Sequence, residues 1–348
     1  MRRIGKKISL MFSMAVCFGV LSAFIYGPSW FLMNLPGHPA VDETRIGFIK
    51  EMKKQGYISG KNIDIDIETD AGNLLSVQRT EDAIAKNEAK IFVAIGTSIA
   101  QGVKKNMNPA SQLVFSSVTD PKGAGLVEDL SKPESNVTGV SGFIHALPQL
   151  RFFKSITPGM KRVGLVYNSE EQNSVRILED VKSAVQELGL ELVEIKVSQK
   201  EEVEAAVEKF GKLVDAFYVN NDNTASGGWG DIVMVADRLK IPAYAADLSL
   251  ATSANGALAA YGVDQEEIGR QTALMVVKLL NSTKVSEIPV VMVTSEKTVI
   301  NVDKAKELGI SVPKHVLDSV DRRYPENWWD ELKRWVTELF VGRTAANS

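Results

Sequence analysis

Residues 91–121 read IFVAIGTSIAQGVKKNMNPASQLVFSSVTDP. An unbroken apolar run, 91–95, passes into Gly96-Thr97-Ser98, where a helix opens, and a second apolar run at 113–117 leads to Thr119-Asp120-Pro121. Apolar runs without alternation describe strands buried on both faces, and a helix between two such strands is the crossover of a parallel sheet. The unit repeats outward from this point. Upstream lie a strand at 30–34, a helix carrying Val41, Ile46, Ile49 and Met52 that stops at Gly56, a strand at 63–67 and a helix at 74–86. Downstream the pattern begins again, with strands at 163–167, 192–197, 216–219 and 243–246 separated by helices at 173–188, 201–210 and 231–239. The expected fold is α/β, with two doubly wound lobes of mostly parallel sheet. Strand-like segments at 137–140 and 257–263 are flanked by Gly139, Gly142, Gly256 and Gly262, which suit either hinge positions or plain strand ends.

Composition narrows the function. The chain has 348 residues, 45% hydrophobic and 24% charged, with 40 basic against 43 acidic side chains and a net charge of −3. That is ordinary globular composition without the basic footprint of a nucleic-acid binder. One cysteine, Cys17, and three scattered histidines, His38, His145 and His315, offer neither a disulfide framework nor the spacing of a metal site. Residues 96–104 lack the lysine and hydroxyl of a phosphate loop. Gly123-Ala124-Gly125 is followed by Glu128 where a dinucleotide fingerprint needs its third glycine. No serine elbow appears either. Binding without a cofactor or metal is therefore expected, rather than catalysis.

Arg2, Arg3, Lys6 and Lys7 precede an uncharged run from 8 to about 26, the pattern of an export signal or signal anchor over residues 1–27. The remainder is expected outside the cytoplasmic membrane, periplasmic or membrane-anchored. Val16 is a poor residue before a lipid-modified cysteine, so Cys17 reads as a buried apolar residue.

In doubly wound sheets ligands bind beyond the carboxyl ends of the strands, where helix N-termini present free N–H groups. The residues there are Thr97, Ser98, Thr119 and Asp120 in the first lobe, and Asn173, Ser174, Asp222, Asn223 and Asp247 in the second. Hydroxyls, amides and a few carboxylates facing across a cleft suit a small zwitterion, with a helix N-terminus for its carboxylate and an Asp for its ammonium. The same residue types are also preferred helix N-caps, and that reading stands beside the first.

The stretches 37–42 (GHPAVD), 118–127 (VTDPKGAGLV), 136–140 (NVTGV), 161–164 (KRVG), 173–175 (NSV), 222–224 (DNT) and 268–272 (IGRQT) resemble, in order from about 35 to 318, the TrpX-like ABC-transporter substrate-binding family. The resemblance implies a type I periplasmic-binding-protein architecture: two lobes joined by three hinge crossovers, closing on a ligand such as an aromatic amino acid and presenting it to an ABC permease in the membrane. It also implies that the nine loop residues named above touch the ligand. Asn220-Asn221 and Ala246 depart from the family's Pro-Thr and Ser at those places, which bears on pocket polarity. The expected division is 28–140 plus 257–285 for the N-terminal lobe, and 141–256 plus 286–324 for the C-terminal lobe and crossovers. Beyond it, Trp328, Trp329, Leu332, Trp335, Val336, Leu339 and Phe340 share one stripe of an amphipathic C-terminal helix at 325–348. That helix could dock on its own lobe, on a membrane surface or on a partner. An uncleaved anchor together with this tail would suit an alternative, a membrane-tethered ligand-sensing module that passes lobe closure to a signalling partner.

Overall fold

The computed structural model describes residues 29–34, 39–69, 90–133, 136–252 and 256–324. The N-terminal signal segment with Cys17, the helix expected at 74–86 and the Trp-rich stripe lie outside them. No helix among the described residues is long and apolar enough to cross a membrane.

Two sheets carry the fold. The first contains β1 (Ser29–Asn34), β2 (Asp64–Thr69), β3 (Ile91–Ile95), β4 (Gln112–Val118), β5 (Val137–Ser141) and the short β11 (Val291–Met292), in the order β11-β5-β4-β3-β1-β2. All its pairings are parallel. The second contains β6 (Arg162–Asn168), β7 (Glu191–Val197), β8 (Ala216–Val219), β9 (Ala243–Ala245), β10 (Ala259–Val263), β12 (Glu296–Asn301) and β13 (Arg322–Tyr324), in the order β13-β12-β10-β9-β8-β6-β7. Here β10 and β12 are antiparallel and the other pairings parallel. Within each lobe the first five strands follow one spatial order, second-first-third-fourth-fifth, so the repeat seen in the sequence is a repeat of topology. Each sheet therefore has its switch point between its first and third strands, where a crevice opens at the carboxyl ends.

Strand alternation explains the layers. Ile91, Val93 and Ile95 face a core shared with Phe48 and Met52 of α1 (Pro39–Lys54) and with Ile268 and Val276 of α8 (Gln265–Leu280). Phe92 and Ala94 face the other side, against Ile99 and Val103 of α2 (Thr97–Asn106). The second sheet does the same. Val163, Leu165 and Tyr167 pack on α3 (Ala146–Ile156) and α4 (Gln172–Leu188), while Val166, Ile195 and Val197 pack on α5 (Val203–Gly211), the short α6 (Asn223–Gly227) and α7 (Trp229–Leu239). Helix α4 stops where Gly189 takes a left-handed conformation, φ 62°, and Leu190 N–H closes back on Val185 C=O at 2.8 Å.

The chain crosses between lobes after β5, after β10 and after β11. The three crossings touch: Val293 N–H donates to Ser141 C=O at 2.9 Å, and Asp264 N–H to Ser295 C=O at 3.2 Å. Two expectations change here. Residues 259–263, assigned above to the first lobe, are hydrogen-bonded into the second sheet, and β11, within the segment assigned to the second lobe, pairs with β5 of the first. Two of the four glycines expected as hinges or strand ends, Gly139 and Gly262, have another role. A Cβ on Gly139 would lie 2.2 Å from Phe115 O and one on Gly262 1.9 Å from Ala246 O, so both strands need glycine for close neighbours.

Helix α8 returns 16 residues to the first lobe and lies along α1 at backbone contact. A Cβ on Gly269 would come within 1.9 Å of Thr44 O, and one on Gly47 within 2.2 Å of Glu266 O. Sequence reading recognised neither α8 nor α3 as a helix.

Candidate functional site

Both switch points open onto one small cavity of about 40 Å³ between the lobes. The first lobe lines it with Ala40 and Val41 from the start of α1, Gly96 and Thr97 after β3, Ser117 at the end of β4 and Thr119 just after it, and Gln265 at the start of α8. The second lobe contributes Asn173, Asn221 and Asn223. All lining side chains are uncharged.

The first-lobe edge is shaped by its backbone. Gly96, φ 100°, is the N-cap of α2 and makes no side-chain capping bond, so the N-terminal N–H groups of that helix meet the cavity uncapped by a side chain. Thr97 and Ser98 sit inside the first turn and cap nothing, which removes the capping alternative for them. Ser117 adopts φ 56°, unusual for a residue with a Cβ, where the β4–β5 register shifts between Phe115 and Val118. Its hydroxyl donates to Gln265 Oε1 at 3.1 Å, and Thr44 Oγ1 donates to the same oxygen at 2.9 Å. Gln265 thereby has its NH₂ group left to offer.

The second-lobe edge is knitted to itself. Asp222, 2% exposed, accepts Asn168 N–H at 2.6 Å and Ser174 Oγ–H at 2.6 Å on one oxygen, and Ala225 N–H at 2.7 Å on the other. Burial, followed by the nearby charge of Glu171, pushes its carboxyl above the usual range against the pull of those bonds. Glu171 binds the same loop through both oxygens, taking the N–H and Nδ2 of Asn223 at 3.2 and 2.6 Å and the N–H and Oγ1 of Thr224 at 3.1 and 2.8 Å. Asn173, 3% exposed, donates to Asn221 C=O at 2.8 Å, while its Oδ1 is buried without a partner. A buried orphan acceptor costs free energy until a donor reaches it.

Of the nine expected residues, Thr97, Thr119, Asn173 and Asn223 therefore line the cavity and five do not. Ser98, half-buried in the first turn of α2, is not among the lining residues. Asp120 caps the turn at Gly123, accepting its N–H at 3.0 Å, and faces Arg176 of the opposite lobe at 4.0 Å. Ser174 and Asp222 hold one another. Both Asp222 oxygens are engaged, one in capping and the other in loop anchoring. Asp247, 5% exposed, caps a short 3-10 turn through Ser249 with Oδ1, and its Oδ2 has no partner among the described residues. Missed were Ala40, Val41, Ser117 and Gln265, while Gly96 and Asn221 stand in the same strand-end stretches as the nine without being among them. The strand-end rule finds Gln265 once it is applied to the crossover strand β10 as well, and Ala40 and Val41 once it is applied to β1.

The model of the ABC transporter substrate binding protein family matches residues 33–323. A tyrosine-binding protein of Clostridioides difficile (strain R20291) is 31% identical over 279 residues, 80% of each chain. Among solved structures, the ABC domain from Streptococcus pneumonia in complex with L-Trp is 30% identical, with a TM-score of 0.81 over 86% of this chain and 100% of that one. A ligand-free, open substrate-binding protein with adhesive properties from Clostridium difficile is also 30% identical, but its TM-score is 0.63 over 85% and 98%. At equal identity, the chain as a whole superposes better on the L-Trp complex than on the ligand-free, open structure. The chain belongs to the ABC transporter substrate-binding protein family.

Proposed function

We propose that this protein captures an aromatic amino acid outside the cytoplasmic membrane by closing its two lobes, and hands it to an ABC permease without altering it. The observation that carries the reading is the uncharged, hydrogen-bonding cavity made jointly by Thr97 and Thr119 on one side and Asn173 and Asn223 on the other. A ligand touching both edges binds the closed arrangement more tightly than the open one, which is how it shifts the population. The uncapped start of α2 suits a carboxylate, and Asn173 Oδ1 suits a donor. The binding of tyrosine and of L-Trp by the two relatives supports the ligand class. We divide the lobes at the crossings: 28–141 with 264–293, and 142–263 with 294–324. Residues 1–27 fit the export signal or anchor that this placement requires.

A cavity that holds benzene measures about 150 Å³. At about 40 Å³ this one admits an aromatic ring only when the lobes part about the three crossings. Titrating the chain lacking its first 26 residues with the standard amino acids tests the reading. An aromatic amino acid should raise the melting temperature and reduce the scattering radius. Absence of both changes across the whole set removes the ligand class.

A further inference from the structure

We infer that Gln265 is the residue of the cleft that selects for a ligand carboxylate, donating to it from the side-chain amide beside the starts of α1 and α2. The inference rests on the amino-acid reading above and names the group that reads the acid end of the ligand. Gln265 is the first residue of α8, is 5% exposed and lines the cavity. Its Oε1 is engaged from within the first lobe. Ser117 Oγ–H donates to it at 3.1 Å, and Thr44 Oγ1, at 2.9 Å, shares a proton between it and Ala40 C=O, also at 2.9 Å. Its Nε2 makes no hydrogen bond among the described residues and, unlike Asn173 Oδ1, is not sealed from solvent. A buried amide held by its oxygen in this way has an NH₂ group to give to whatever enters the cavity.

The surroundings of that NH₂ group are donors too. Ala40 and Val41, the second and third residues of α1, line the same cavity, as do Gly96 and Thr97 at the start of α2. N–H groups in the first turn of a helix have no partner within it, and the helix dipole adds partial positive charge there. The start of α8 differs. Asp264 caps it, and Glu266 and Glu267 follow in its first turn, paired with Lys50 and Arg270. What α8 brings to the cavity is its side-chain amide.

Hydrogen bonds tie the three helix starts together. Gly96 N–H donates to Ser116 C=O at 2.9 Å, the next residue, Ser117, holds Gln265, and Thr44 of α1 holds it as well. In a cavity of about 40 Å³ with no charged side chain on its wall, these donors converge on one small group. A carboxylate matches them, having two oxygens and no proton, with one oxygen toward the helix starts and the other toward the amide. An ammonium at this end would meet N–H donors, so the amino acid enters in one orientation. All of these donors belong to the first lobe, and the carboxylate seat is therefore complete before the lobes close.

Calorimetry with L-tyrosine and L-tyrosinamide at about pH 5.5 and about pH 8 tests this. The ratio of variant to wild type at each pH cancels the ligand's own ionisation. The wild type should bind tyrosine more tightly than the amide. Gln265→Glu keeps an acceptor for Ser117 and Thr44 but turns the donor into an oxygen. It should weaken tyrosine about a hundredfold at the higher pH and less at the lower, where the introduced carboxyl gains a proton to donate. Tyrosinamide should stay within about threefold, because its own NH₂ group donates to that oxygen. Gln265→Met, uncharged and of similar length, should weaken tyrosine about tenfold at either pH and the amide less; it decides the matter should Gln265→Glu lose its melting transition. Equal binding of the two ligands by the wild type, or equal losses for both in either variant, overturns the assignment. So does tighter binding of tyrosine by Gln265→Glu, the mark of a carbonyl that faces the ligand's ammonium. Should tyrosine fail to bind while another amino acid does, the aromatic reading falls alone, and the comparison is run with that amino acid and its amide. If no amino acid binds, both readings fall.

Discussion

The two edges of the cleft share a strand order but use their polar groups in opposite ways. On the second-lobe edge, Asp222, Ser174, Asn168, Glu171 and Thr224 are consumed in mutual hydrogen bonds, leaving Asn173 Oδ1 as a buried orphan acceptor. On the first-lobe edge the start of α2, with Thr97, and Thr119 line the cavity, while the supporting contact is made further back, where α1 and α8 meet at glycines. One edge is stiffened by its own polar network, and the other is stiffened from behind and keeps its polar groups for a ligand. A cleft residue's chemical type therefore does not reveal its duty; the number of its hydrogen bonds already satisfied does.

Replacing Asp222 with Ala should do the greatest damage, since it orphans Asn168 N–H, Ser174 Oγ–H and Ala225 N–H inside the second lobe. We expect a loss of about 3 kcal/mol in chemical denaturation. A neutral result would mean that this edge is not self-supporting, and the contrast between the edges would collapse. Gly269→Ala probes the support behind the first edge. Its Cβ would meet the Thr44 carbonyl, a backbone atom that moves only with its helix, so about 2 kcal/mol of destabilisation is expected by the same measurement. Thr97→Val should change stability least, within about 0.5 kcal/mol, because Thr97 caps no helix. The same variant should nevertheless weaken ligand binding measurably by calorimetry. A large stability loss there would show that Thr97 is structural and that the two edges are alike.

The sequence disclosed the architecture well and the site only in part. Apolar runs such as 91–95 and 216–219 are buried along their whole length, so their burial is written directly in their composition. Helix α8 was harder to see, because its buried side includes Gly269, Thr272 and Ala273, small residues of which Gly269 meets α1 at backbone contact and Thr272 hydrogen-bonds Ser116 of β4. The carboxyl ends of the strands were located correctly, which brought Thr97, Thr119, Asn173 and Asn223 to the cavity. Asp222 and Asp247 show why the rest was not legible. Both are helix-capping aspartates after a strand, indistinguishable by local pattern. Only the three-dimensional neighbours determine that one has both oxygens occupied and the other has one to spare.

The hydrogen bond from Thr44 to Gln265 spans 221 residues of chain, and with it the entire contact between α1 and α8. The lobe that begins first therefore waits on a late segment: its sheet and one of its core faces stay open until the ribosome has passed residue 293, while the second lobe is completed later still by β12 and β13. Biogenesis of this molecule is thus governed by late segments, and truncation before α8 leaves an early lobe with no lid on its core.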